Sequence, residues 1–299
     1  MAAVDLPFLR DNPHLLPTFL AHQRVRTTPV GGGSIAVTER IGLDDGAQAF
    51  LKTWPGGLAA APTAAKVSAP PGFFTAEASG LRWLRAAGGV AVPEVYAATD
   101  DLLLLEWIDH AAPTAAAAER FGRGLAVTHR CGAPAFGAPA DGYFGSLPLD
   151  NTPGRDWPTW FRERRILPYL RLAVDAGSLD TADAARVESI RIEAPAEPPA
   201  RIHGDLWPGN VLWGRADTAY LIDPAAHGGH RETDLATLTL FGAAPHLERI
   251  IAAYRDIHPL DPGWRTRVAL HTLPILLVHA VLFGRTYRAD VLEAARRYR

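Results

Sequence analysis

Cysteine is nearly absent. The single Cys131 in 299 residues excludes an internal disulfide framework and a cysteine-built zinc cluster, and it fits a reducing compartment. The N-terminus has no basic segment followed by an apolar one, so no secretory leader is read there and the expected location is cytoplasmic. Lysine is almost as scarce. Of 30 basic residues only Lys52 and Lys66 are lysines; all others are arginines. Net charge is −2 and the pI is near 6.6, so no basic field exists to hold nucleic acid or an anionic membrane. An uninterrupted apolar run is missing too. The most apolar stretch, 268–283, is broken by His271, Pro274 and His279 and reads as a buried helix. What remains, 48% apolar and 21% charged, describes a globular chain long enough for one large domain or two lobes.

The first third is β-rich. Ile35, Val37 and Ile41 have strand spacing, and a Gly-Leu-Asp-Asp-Gly turn leads into a second strand over 47–54. The run Gly31, Gly32, Gly33, Ser34 stands at the start of the first strand. Residues 55–72, rich in Ala, Pro and Gly, read as a loop. A helix is expected over 75–87, stopped by Gly88-Gly89, then strands over 92–96 and 101–108. After Asp109 the pattern turns helical, over 114–130, 157–175, 181–193, 232–241, 246–257 and 264–283. A short hairpin (211–213 and 219–222) is embedded among these helices. The sketch is an α+β chain of two lobes: 1–108, with a leading helical segment and a hinge strand, and 109–299.

The embedded hairpin gathers the sharpest motif, His203-Gly-Asp205-Leu-Trp207-Pro-Gly-Asn210 followed by Ile222-Asp223-Pro224. Asn210 precedes the first strand and Asp223 follows the second, so antiparallel pairing brings them about 5 Å apart. Asp205 shares a loop with Asn210. Two carboxylates and a carboxamide at one sheet end are hard oxygen donors that suit Mg2+ bridging phosphates. Asp-x-x-x-x-Asn with an Asp after the next hairpin is the spacing of the protein-kinase catalytic loop, where the first Asp is the base and the other two groups hold metal. Turn formation is the ordinary alternative for each of these residues alone.

The N-terminal part holds complementary groups. Backbone N–H groups of Gly31 to Ser34 can meet a phosphate. A dinucleotide fingerprint is disfavoured because a strand, not a helix, follows, and no Walker A lysine is present. Lys52 reads either as a solvated strand lysine or, in a chain that otherwise uses arginine, as a compact point charge for phosphates. Glu77 reads as its partner or as an acid favoured by a helix N-terminus. The strand ending at Glu106, Trp107 and Ile108 offers backbone groups to an adenine edge.

Together with Ile222-Asp223-Pro-Ala225 and His230-x-Glu232-x-Asp234-Leu-Ala236, these residues resemble the fructosamine kinase (ketosamine-3-kinase) family, within the kinases that include aminoglycoside and choline phosphotransferases. Asp205-Leu-Trp207, Gly145, Asn151 and the pattern from Asp156-Trp157 to Arg165-Ile-x-Pro168 point to the fructosamine branch. The resemblance runs from about residue 30 to about 284. It implies a protein-kinase-like fold and an ATP- and Mg2+-dependent kinase acting on the 3-hydroxyl of ketosamines, as free small molecules or as glycated amines and proteins. The phosphorylated adduct then releases the amine. It implies Asp205 as proton acceptor, Asn210 and Asp223 as metal ligands, and Lys52 paired with Glu77 against phosphates. It further implies Glu106, Trp107 and Ile108 as the nucleotide hinge and Asp234 as support of the catalytic loop. His203 and Trp207 are placed on the substrate side, and the chain is expected as a monomer or homodimer. Pro208 and Pro224 depart from the common pattern, and 223–234 is too short for a phosphorylated activation loop. Three other readings compete: a related kinase acting on an aminoglycoside or choline-like hydroxyl, a metal-dependent hydrolase using His203, Asp205, Asp223, His227 and His230, and a non-catalytic ATP-binding module, disfavoured because every catalytic position is filled.

Overall fold

A computed structural model describes residues 6–22, 26–31, 35–43, 46–55 and 68–298. Helices α1 (Leu6–Asp11) and α2 (Leu16–His22) lead into five strands: β1 (Arg26–Pro29), β2 (Val37–Gly42), β3 (Gln48–Thr53), β4 (Val95–Ala98) and β5 (Leu102–Glu106). They form one antiparallel sheet in the order β1-β2-β3-β5-β4, with helix α3 (Phe73–Arg85) inserted between β3 and β4. Both faces are covered, which explains the unbroken apolar sequence of β5. Leu102 and Leu104 pack with Ala49, Leu51, Leu9 and Leu16, while Leu103 and Leu105 turn to the other face against Leu81 and Leu84 of α3.

A strand the sequence does not suggest, β1, precedes the glycine run, and β2 begins at Val37. β1 pairs with β2, Val30 N–H donates to Thr38 O at 3.0 Å, and the Thr38 hydroxyl donates to Val30 O at 2.8 Å. Gly32, Gly33 and Ser34 lie outside the described residues, as do the turn residues Asp44 and Asp45 and residues 56–67, including Lys66.

The rest is mainly helical: α4 (Ala115–Arg130), α5 (Trp157–Phe161), α6 (Leu167–Asp175), α7 (Thr181–Glu188), α8 (Glu232–Thr237), α9 (Leu247–Ile257), α10 (Trp264–Phe283) and α11 (Arg288–Arg297). A π-helical turn over Arg162–Ile166 joins α5 to α6. Three short hairpin-like pairs interrupt the helices: β6 (Gly142–Phe144) with β7 (Leu147–Leu149), β8 (Ala200–Ile202) with β11 (His227–Gly229), and β9 (Val211–Trp213) with β10 (Ala219–Leu221). Two helices end earlier than their periodicity suggests. α7 stops before a segment holding Pro195, Pro198 and Pro199, and α8 stops before Phe241, Gly242 and Ala243, all at positive φ.

One hydrophobic cluster joins Phe74, Leu81 and Leu103 to Phe121 and Leu125 of α4, to Leu206 and Leu221, and to Ile250 of α9. The core is therefore continuous across residue 108. Gly122 makes the α4–α9 contact possible, because a Cβ there would stand 2.2 Å from Ile250 O. A second cluster packs α5, α6 and α11 around α10. The apolar run 268–283 lies in α10, which is long and apolar enough to cross a membrane. Its Leu270, Leu273 and Leu277 are wholly buried in this cluster.

Candidate active site

The hairpin β9–β10 does what its sequence requires. Val211 pairs with Leu221, and Ile222 N–H donates to Asn210 O at 3.2 Å, which fixes Asn210 and Asp223 at one strand end. Asp223 sits at φ 55, a conformation Asp tolerates better than most side chains. Asn210 Nδ2 donates to the Asp205 backbone O at 2.8 Å and to its Oδ2 at 3.1 Å. Asp205 Oδ1 is buried without a hydrogen-bond partner. Burial pushes the Asp205 carboxyl well above its ordinary value, and the charge of Asp223 adds to this.

Lys52 joins the N-terminal sheet to this loop cluster. Its Nζ lies 2.7 Å from Glu77 Oε1 and 2.6 Å from Asp223 Oδ1. Burial opposes the ammonium charge, but the two carboxylates outweigh it and hold Lys52 protonated. Glu77 is pushed up by burial, against the pull of Lys52. Both readings that kept Glu77 open, partner of Lys52 or acid at a helix start, thus resolve to the ion pair.

The loop carrying Asp205 hangs on Asp234. Its Oδ2 accepts from His203 N–H at 2.7 Å and faces His129 Nε2 at 3.1 Å; its Oδ1 accepts from Gly204 N–H at 2.9 Å. Burial raises the Asp234 carboxyl, but the hydrogen bonds it accepts from His129 and from the His203 backbone leave it below its ordinary value. His203, expected on the substrate side, is corrected by this geometry. It is wholly buried, its Nε2–H donates to Ile222 O at 2.8 Å and its Nδ1 accepts from Asp205 N–H at 3.2 Å. Gly204 at φ 81 turns the chain between them, so adjacent residues point apart. His203 is a strut between two loops.

Lys52, Glu77, Asp205, Asn210 and Asp223 line one cleft of about 1360 Å3, together with Gly31, Trp207 and the hinge residues Glu106, Trp107 and Ile108. Glu106 binds Glu94 twice: its N–H donates to Glu94 O at 2.8 Å, and its Oε2 accepts from Glu94 N–H at 3.0 Å. Trp107 lies under the Arg40 guanidinium, 4.9 Å from the ring centre. Hard oxygens from Asn210 and Asp223, beside the unpartnered Asp205 Oδ1, form a donor set that fits Mg2+ and not a softer metal.

The histidine set of a hydrolase does not assemble. His227 Nδ1–H donates to Ala225 O at 2.7 Å, and its Nε2 lies 3.4 Å from Arg165 Nε. His230 packs at a tilt against the rings of Trp157 and His271. His230, Glu232 and His271 do bring ligand atoms within 4.8 Å, but Arg267 binds both Glu232 oxygens at 2.6 and 2.7 Å, so the cluster is an internal ion pair. Sequence reasoning missed His129, whose partner Asp234 is far along the chain. It also missed His279 and Phe283, which line the cleft from α10.

Residues 18–298 match the model of the fructosamine kinase family. A crystal structure of a candidate fructosamine-3-kinase from Thermobifida fusca is 47% identical, with a TM-score of 0.84 over 92% of this chain and 94% of that one. An Enterococcus faecium protein named as a probable ketoamine kinase is 32% identical over 89% of this chain and 92% of its own. An ethanolamine kinase of Plasmodium vivax shares the fold alone, at 12% identity and TM-score 0.59, over 94% of this chain and 85% of that one.

Proposed function

Because the chain belongs to the fructosamine kinase family, we propose that it transfers the γ-phosphoryl group of ATP, with Mg2+, to the 3-hydroxyl of ketosamines. The family is one of ketoamine kinases, phosphotransferases that use a nucleotide and act on ketosamines. The finer assignment rests on one observation: Lys52 binds Glu77 and Asp223 together, and Asp223 shares its strand end with Asn210 and the loop of Asp205. Phosphoryl transfer is mostly positioning and charge stabilisation, and this set offers both.

Asp205 accepts the proton of the acceptor hydroxyl as its oxygen bonds to the γ-phosphorus and the bond to the departing ADP oxygen breaks. Its raised affinity for protons suits that task. Lys52 meets the phosphates, and Glu77 fixes where it stands. Asn210 and Asp223 are the residues to hold Mg2+, which when bound neutralises charge on the β- and γ-phosphates. Backbone groups of Glu106, Trp107 and Ile108 take the adenine edge, and the glycine run that starts at Gly31, a residue of the cleft lining, is assigned to the phosphates. Residues 1–108 then serve as the nucleotide lobe and 109–299 as the catalytic lobe. The phosphorylated ketosamine loses its amine, so the outcome is deglycation in a cytoplasmic setting.

Mass spectrometry after incubation with Mg-ATP tests the reading on ribulosamines, fructosamines, an aminoglycoside and choline. A phosphate-mass gain on the ketosamines, followed by release of free amine, is expected. Phosphorylation confined to the aminoglycoside or choline overturns it.

A further inference from the structure

Arg165 is a buried cation held by neutral groups. It stands in the π-helical turn over Arg162–Ile166 and is 2% exposed. Its Nη1–H groups donate to Asp150 O at 2.7 Å and Arg164 O at 3.0 Å, Nη2–H to Asn151 Oδ1 at 2.6 Å, and Nε–H to His227 Nε2 at 3.4 Å. The guanidinium also lies over Trp160, 4.2 Å from the ring centre. Burial pushes it down to about 10, so the charge persists at neutral pH. Packing alone does not reward this, since an apolar chain of similar volume fills such a site without the desolvation cost.

Neither Arg165 nor His227 lines the cleft, yet their contacts join two parts that do. Asn151 closes the loop 137–151: its Nδ2–H donates to Ala140 O at 3.2 Å, and its O accepts from Ala138 N–H at 2.9 Å. On the other side, His227 Nδ1–H donates to Ala225 O, two residues after Asp223. With its hydrogen on Nδ1, the neutral ring offers Nε2 to Arg165 as an acceptor. Burial and the charge of Arg165 hold it neutral, pushed down to about 3. The ring also rests on Gly204, where a Cβ would stand 2.8 Å from its Cε1. Asp223 needs such support, because a left-handed φ of 55 persists only where the surroundings enforce it.

We infer that Arg165 and His227 are positioning residues for phosphoryl transfer, a buried guanidinium–imidazole link that holds the cleft loop 137–151 in register with the strand end of Asp223. This rests on the kinase reading above. Nucleotide groups are assigned there to Gly31, Lys52 and residues 106–108, which leaves the loop to the acceptor, while Asp223 is one of the residues to hold Mg2+. A break anywhere in the link lets the two sides shift, and a misplacement of about 1 Å costs about a hundredfold in rate. Each residue therefore governs the side it does not touch.

Two variants cut the link at opposite ends. Arg165→Met cuts it at the loop. His227→Gln cuts it at Ala225, because a carboxamide oxygen turned to Arg165 leaves no donor for that carbonyl. Mn2+ affinity in the presence of a non-hydrolysable ATP analogue, read by electron paramagnetic resonance, is expected to fall about tenfold in Arg165→Met, and the KM of a ribulosamine acceptor to rise about tenfold in His227→Gln. kcat is expected to fall about a hundredfold in each, and the double variant to be no worse than either alone. Effects confined to the near side, acceptor KM only for Arg165→Met or Mn2+ affinity only for His227→Gln, overturn the link, as do additive losses in the double variant. Should Arg165→Met fail to fold, His227→Gln decides through its acceptor KM. If the wild type phosphorylates no ketosamine, the kinase reading fails instead, and the Mn2+ titration still decides the link: equal affinity in wild type and Arg165→Met overturns it.

Discussion

Lys52 Nζ and Asp223 Oδ1 are 2.6 Å apart, an ion pair between a strand of the N-terminal sheet and the end of a hairpin 171 residues later. It ties the two walls of the cleft together. Glu77 shares the same ammonium at 2.7 Å.

Lys52→Met leaves Glu77 buried without its counter-charge and removes the tie to Asp223. A loss of about 3 kcal/mol in unfolding free energy is expected, at the low end for a broken buried pair because Asp223 is partly exposed. Denaturant titration measures it. kcat/KM for the nucleotide should fall at least a hundredfold. Lys52→Arg separates charge from shape: a planar guanidinium cannot present one point to two carboxylates and a phosphate. Wild-type kinetics in that variant would refute the need for an ammonium.

Asp205 has a cost that its chemistry explains. Its carboxyl is raised by burial and by Asp223, so between the ordinary carboxylate range near 3.9 and the raised value the folded state binds more protons than the unfolded one. Stability therefore falls as pH rises through that window. Asp205→Asn removes the penalty. The variant should melt higher than wild type at pH 7, and the difference should vanish below about pH 4. Phosphoryl transfer should drop about 10²–10⁴-fold, with nucleotide binding kept. A variant that turns over normally excludes Asp205 as the base.

Asp234 carries the opposite sign. Its carboxyl lies below its ordinary value, so its contribution is present above the ordinary carboxylate range near 3.9 and is lost as pH falls through the folded-state value. Asp234→Asn turns one of three donors, from His203, Gly204 or His129, against an NH2 group. A loss of about 3 kcal/mol is expected, with less acid sensitivity than wild type. Because the Asp205 loop hangs on these bonds, kcat should fall more than nucleotide affinity. Thermal melts across pH 3–7 with parallel nucleotide titrations separate the two effects.

How much of this was legible in the chain depends on how local each signal was. Asp205, Asn210 and Asp223 are placed by one spacing and one short hairpin, so sequence suffices. Lys52 stood out through the scarcity of lysine. His129 gave no signal, since it fits the period of α4 and its partner is 105 residues away. β1 is exposed at all four residues and has no alternation to read. β11, His227–Gly229, has the composition of a turn and exists because β8 pairs with it. His203 was misplaced because its neighbour Asp205 faces the cleft, while the left-handed Gly204 between them reverses direction.

Gly209 fixes the aromatic wall. A Cβ there would stand 2.1 to 2.6 Å from three atoms of the Trp207 six-membered ring, so the indole lies flat on the glycine. The contact is with a large ring held against Phe241, not with the free end of a flexible chain. Gly209→Ala must therefore displace Trp207, while Asn210 beside it keeps its bonds to Asp205. The expected result is an acceptor KM raised about tenfold, with nucleotide KM little changed. Trp207→Ala should cost a similar amount, and the double variant no more than either alone, because both changes remove the same surface. Additive losses would show that Gly209 acts on the loop backbone and not through Trp207.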